Sequence, residues 1–95
     1  MRPRHKWTED DDIVTFYLWK FGDEGLPLPA NDAARKLGIL PASLHMRIDN
    51  FRALNGDEGL AHYAKLSKKV YDRHKKTPQS ELRQIVERIL TTARS

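Results

Sequence analysis

An all-α fold, four or five helices built around a helix-turn-helix, is predicted by three stretches of the chain. The first runs from Asn31 to Leu54, where two helix-like patterns meet at Gly38 and Pro41. The second is the aromatic segment between Thr8 and Gly22, and the third is the apolar stripe between Leu82 and Ala93. No segment alternates apolar and polar residues long enough to read as a strand, and there is no internal repeat. The 95 residues suffice for one small domain, and an apolar share of 39% supports a modest core.

The helix-turn-helix organises the rest. Asn31 or Asp32 is read as the cap of its first helix, because a short polar side chain can accept from the unpaired amides of a first turn. Ala33, Ala34 and Leu37 give that helix a small apolar face, and Gly38 stops it by entering the left-handed region at little cost. Pro41 restarts helix in the first turn, where its missing donor does no harm. In the second helix Leu44, Ile48 and Phe51 fall on one face at i, i+4 and i+7. Ala42, Ser43, His45, Met46, Arg47, Asp49 and Asn50 are left off that face.

Before this motif, Thr8 is a candidate N-cap, and Glu9, Asp10, Asp11 and Asp12 lie in the first turn, where the helix dipole favours negative charge. Capping accounts for these acids better than a metal site does. The helix continues to Phe21 and is apolar nearly all round: Ile13 and Phe16 on one side, Val14, Tyr17, Leu18 and Phe21 on another. It is therefore expected to be the central scaffold, buried on two sides. Gly22 to Pro29 reads as a loop, and Asn55 to Gly59 as a second. A basic helix is expected over residues 60–75, with a shorter alternative beginning at Lys68 under a Ser67 cap. Thr77 and Pro78 read as the N-cap and first residue of a last helix, over 78–93. Its stripe of Leu82, Ile85, Val86, Ile89 and Leu90 needs a receptor. The second apolar side of the scaffold helix is favoured; the same helix of another copy, giving a homodimer, is the alternative.

The net charge is +4, distributed as two basic segments. Arg2, Arg4 and Lys6 form an N-terminal arm, and Lys65, Lys68, Lys69, Arg73, Lys75 and Lys76 form a run opposed only by Asp72. Basic flanks around a helix-turn-helix suggest a footprint for the phosphates of double-stranded DNA, to which Arg52 is added. The second helix then supplies base readout through Ala42, Ser43, His45, Met46, Arg47 and Asn50. Arg47 is the candidate for a bidentate contact to guanine and Asn50 for one to adenine. A protein-interaction module that keeps the fold without binding DNA is the runner-up. With no cysteine there is no disulfide or thiolate metal site, and no apolar run approaches membrane-spanning length. These features suit a cytoplasmic protein. No nucleophile–base or metal constellation is recognisable, so neither an enzyme nor a cofactor is expected.

The segments Trp7-Thr8-Glu9, Ala33-Ala34-x-x-Leu37-Gly38 and Pro41-Ala42-Ser43-Leu44-x-Met46-Arg47-Ile48-x-Asn50-Phe51-x-x-Leu54 together resemble a known module. It is the helical module found ahead of many prokaryotic HNH endonuclease domains. That module has a Trp-Thr start, an Ala-x-x-Leu-Gly helix, a Pro-x-Ser-Val segment and a Met-Lys-Leu-x-Asn-Phe segment. Gly59-Leu60 and Ser67 to Tyr71 extend the likeness to about His74. More distantly, the Trp-Thr-acidic start resembles Myb/SANT-like DNA-binding domains. Two departures stand out: Leu40 replaces the usual Ser or Thr before the proline, and Ile39 replaces a common arginine and its phosphate contact. The nuclease residues are also missing, because His5, His45, His62 and His74 are dispersed and no ββα hairpin is predicted. The resemblance thus implies a stand-alone, nucleoid-associated DNA-binding module in a prokaryote, a regulator or targeting subunit.

Overall fold

The computed structural model describes residues 6–56 and 64–93. Among these residues the chain is all-helical: α1 (Glu9–Phe21), α2 (Ala30–Lys36), α3 (Pro41–Leu54), α4 (Lys65–His74) and α5 (Gln79–Thr92). No helix among them is long and apolar enough to cross a membrane.

Helix α1 is the hub. A capping box starts it: the Asp11 amide donates to Thr8 Oγ1 at 3.2 Å, and the Thr8 amide donates to Asp11 Oδ2 at 3.0 Å. Gly22, at φ 71°, ends it. Every residue from Asp11 to Leu18 is buried, because α3 and α4 cover one side of the helix and α5 the other. Phe16 meets Phe51 of α3 and Tyr71 of α4 edge-on, at ring separations of 5.5 and 6.1 Å. Such tilted pairs satisfy the ring quadrupoles while burying large area. On the other side, Leu82, Val86, Ile89 and Leu90 of α5 enter the core with Val14, Tyr17 and Leu18. The Tyr17 hydroxyl accepts from Gln79 Nε2 and donates to the Glu24 carbonyl, each at 3.4 Å, so a buried phenol is satisfied where α1, loop and α5 meet. The α5 stripe therefore has its receptor within the chain.

Three helix starts differ from the sequence expectation, each because the expected capping side chain has another partner. Helix α2 begins at Ala30 after Pro29, with Asn31 and Asp32 inside it. The Ala30 amide is taken at 2.8 Å by Asp23 Oδ2 from the preceding loop, and Asp32 pairs with Arg35 at 3.0 Å. Helix α4 begins at Lys65 after an extended Ala64, while Ser67 is buried and points at α1 instead of capping. The part of that expected helix before Ala64, with Leu60, His62 and Tyr63, lies outside the described residues. Helix α5 begins at Gln79 with no side-chain cap; the Thr77 hydroxyl lies 3.2 Å from His74 Nδ1.

Candidate nucleic-acid interface

The α2–α3 turn closes with two backbone bonds. The Ile39 amide donates to the Ala34 carbonyl at 2.8 Å and the Gly38 amide to the Arg35 carbonyl at 3.0 Å. This 6→1 and 5→2 pair is a Schellman motif, and it needs the left-handed residue that Gly38 supplies at φ 79°. Ile39, just past the turn, is buried, which explains why an apolar residue stands there. Ala33 and Ala34 are fully buried, and their small side chains let α2 lie close to α3. Pro41 is the first residue of α3.

Helix α3 has three distinct faces. Leu44 and Phe51 are buried and Ile48 is packed against the core. The face towards α1 and α4 carries Arg47 and Asn50, and the structure gives both an internal role. The Arg47 guanidinium donates through Nε to Asp12 Oδ1 at 2.8 Å and through Nη2 to Asp12 Oδ2 at 2.7 Å. Asp12 is 0% exposed and the arginine side chain 14%. Ser67 Oγ donates to the same carboxylate at 3.2 Å, and the Trp7 ring lies 4.3 Å from the guanidinium carbon. One fork-to-fork pair, a hydroxyl and an indole face thus tie α1, α3 and α4 together. Asn50 is likewise engaged at both ends of its amide: Oδ1 accepts from the Ala64 amide at 2.7 Å and Nδ2 donates to the Met46 carbonyl at 3.2 Å. The two residues that the sequence offers as bidentate base readers are, in this structure, fasteners between helices.

The outward face carries Ala42, His45 and Met46, all exposed, with Ser43 and Asp49 half-buried beside them. Met46 at 69% and Leu40 at 55% are the exposed large hydrophobic residues among those described. Four of the six expected base readers, Ala42, Ser43, His45 and Met46, therefore keep some outward surface, and the polar ends of Arg47 and Asn50 are engaged.

The basic residues are partly matched by acids. Glu9 takes Arg73, and Lys69 Nζ stands 3.7 Å from its other oxygen. Asp72 pairs with Lys68 at 2.9 Å, which holds its carboxyl below the usual range, and Asp49 pairs with Arg52 at 3.1 Å. Lys75 lies over the Tyr71 ring at 6.0 Å, while its carbonyl accepts from Lys20 Nζ at 2.8 Å. Lys6, Lys65 and Lys76 are exposed. Lys65 directly follows the Ala64 amide bound by Asn50, so it flanks the Met46–Asn50 turn of α3. Arg2 and Arg4 lie outside the described residues. The acidic first turn has separate duties: Asp11 caps, Asp12 meets Arg47, and Glu9 meets Arg73.

The sequence assigns Asp12 only to the acidic first turn and Ser67 to a cap; the structure joins both to Arg47 through one carboxylate. Their signal was periodicity: Asp12, Phe16 and Trp19 share one side of α1, and Ser67, Val70, Tyr71 and His74 one side of α4. No protein-family model, curated protein or solved structure matches this chain.

Proposed function

We propose that this domain binds duplex DNA, with the first turns of α3 in the major groove and the basic flanks against phosphate, as a regulator or a DNA-targeting subunit. The reading rests on one observation above others. The second helix of a tightly closed helix-turn-helix turns Ala42, His45 and Met46 to solvent, while Leu44, Phe51, Arg47 and Asn50 are engaged by the fold. The net charge of +4 and the exposed Lys6, Lys65 and Lys76 support it, as does the likeness to the module ahead of HNH nuclease domains. Within this reading Arg47 and Asn50 act by positioning α3, and base contacts fall to Ala42, Ser43, His45 and Met46. The ion-paired Arg52, Lys68, Lys69 and Arg73 contribute to phosphate binding after exchanging their carboxylate partners, and Lys75 joins Lys65 and Lys76.

The test is fluorescence anisotropy with a pool of labelled duplexes across a salt series. A steep fall of affinity with salt is expected, about 0.9 in the log–log slope for each phosphate neutralised. Lys65→Ala should weaken all duplexes and lower that slope, and His45→Ala with Met46→Ala should weaken preferred sequences most. The exposed Leu40 and Met46 favour a second reading, a protein-interaction surface. Absence of salt-dependent duplex binding, with the fold intact by circular dichroism, would leave that reading standing and remove the first.

A further inference from the structure

The side chains best suited to reading guanine and adenine are engaged by partners within the fold. Both arms of the Arg47 fork are on Asp12, and both ends of the Asn50 amide are on backbone groups. Outward on the first two turns of α3 stand a methyl group, an imidazole and a thioether, from Ala42, His45 and Met46, with Leu40 exposed just before them. This face has little capacity for bidentate hydrogen bonding and an unusual share of apolar surface. We propose that α3 selects C5-methyl pyrimidines in the major groove, with Met46 and Ala42 against the methyl groups. The proposal rests on the duplex-binding reading above and supplies its specificity.

The major-groove edge of a thymine pair carries one apolar group, the C5 methyl, beside the O4 acceptor. An apolar side chain gains by taking that methyl out of water, and an unbranched thioether adapts to its position with little strain. His45 lies one residue before Met46 and offers an imidazole for a neighbouring acceptor such as O4. Asp49, one turn further along, bears a carboxylate held by Arg52 at 3.1 Å. A carboxylate there disfavours close approach to phosphate, so the reading is confined to the N-terminal turns. Lys65, beside the Met46–Asn50 turn, is placed for phosphate without regard to base. Thymine and 5-methylcytosine present the same methyl at the same place in the groove, so the shared chemistry is the C5-methyl pyrimidine edge.

The experiment uses the full chain and a duplex that it enriches from a random pool, resynthesised in three forms. One carries thymine, one carries deoxyuridine in its place, and one carries 5-methylcytosine, paired with guanine, at those same positions. Anisotropy at fixed salt should show a loss of about fourfold for each contacted methyl removed with deoxyuridine. Recovery in the third form identifies 5-methylcytosine as a ligand, and its absence identifies thymine. Met46→Ala, at an exposed position that leaves the core untouched, should shrink the thymine-to-deoxyuridine ratio towards one; Lys65→Ala should lower both affinities and leave the ratio unchanged. Equal, salt-dependent binding of all three forms would overturn the methyl selection and keep duplex binding. Failure to bind any duplex would overturn the underlying reading, and this proposal with it.

Discussion

Replacing Arg47 by alanine removes both donors that meet Asp12 and leaves a fully buried carboxylate with one side-chain donor, the Ser67 hydroxyl at 3.2 Å. Breaking a buried ion pair from one side costs about 3–5 kcal/mol, because the surviving charge is stranded out of water. Loss of the guanidinium from the Trp7 face adds roughly 0.5–1 kcal/mol. Domains of this size are stable by only about 5–15 kcal/mol, so the substitution should take roughly a quarter of the total or more. At roughly 4–8 °C per kcal/mol, the thermal midpoint should fall by about 12 °C or more. Circular dichroism melts and urea titrations read this directly. The companion variant, Asp12→Leu with Arg47→Met, exchanges the pair for apolar groups of similar reach and should recover most of the loss. A base-reading arginine behaves differently: its removal weakens binding and leaves stability alone. A melting midpoint for Arg47→Ala within a degree or two of the parent, or no recovery in the double variant, would refute this account of the buried pair.

Leu82 is fully buried between α5 and α1, so Leu82→Ala should cost about 2–5 kcal/mol in urea unfolding, and the intact chain should sediment as a monomer. Gly38 sits at φ 79° with nothing within 4 Å of an added Cβ, so Gly38→Ala should cost about 1–2 kcal/mol from backbone strain alone, and Gly38→Asn less. Burial, and then the Arg73 guanidinium, hold the His74 imidazole below its ordinary 6.5, with Glu9 and Glu81 acting in the opposite direction. The unfolded chain then takes that proton more readily, so this contribution to stability is full above pH 6.5 and is lost as the pH falls through the lower folded value. Urea unfolding repeated at stepped pH should show that limb, and His74→Gln should flatten it.

Local pattern carried the helices well and the polar partners poorly. Gly38, Pro41 and the Leu44–Phe51 face put α3 at Pro41–Leu54, as read from the sequence, because the stop, the start and the period all lie within one window. The aromatic segment read as α1 and the final stripe read as α5 hold for the same reason, and the expected contact between them is present. Arg47 and Asn50 were different. On the helical wheel both lie between core and solvent, where pattern cannot assign a direction. Their partners, Asp12 and the Ala64 amide, stand 35 and 14 positions away. The same distance effect moved Ser67 from a cap into the core and handed the start of α2 to Asp23. Ala42, His45 and Met46, opposite the core face, could be placed outward from periodicity alone.

The division of labour along α3 has a practical consequence for re-engineering the domain. Fork pairing tolerates little rotation, so the Arg47–Asp12 contact fixes which way the helix turns about its own axis, independently of what its outer residues are. Positions 42, 45 and 46 can then be randomised together as a combinatorial library, while 44, 47, 50 and 51 stay constant as the frame. Variants drawn from such a library would differ in their outward surface and share one backbone. The domain is in that sense a graftable scaffold, with the outward positions of α3 already separated from the residues that orient the helix.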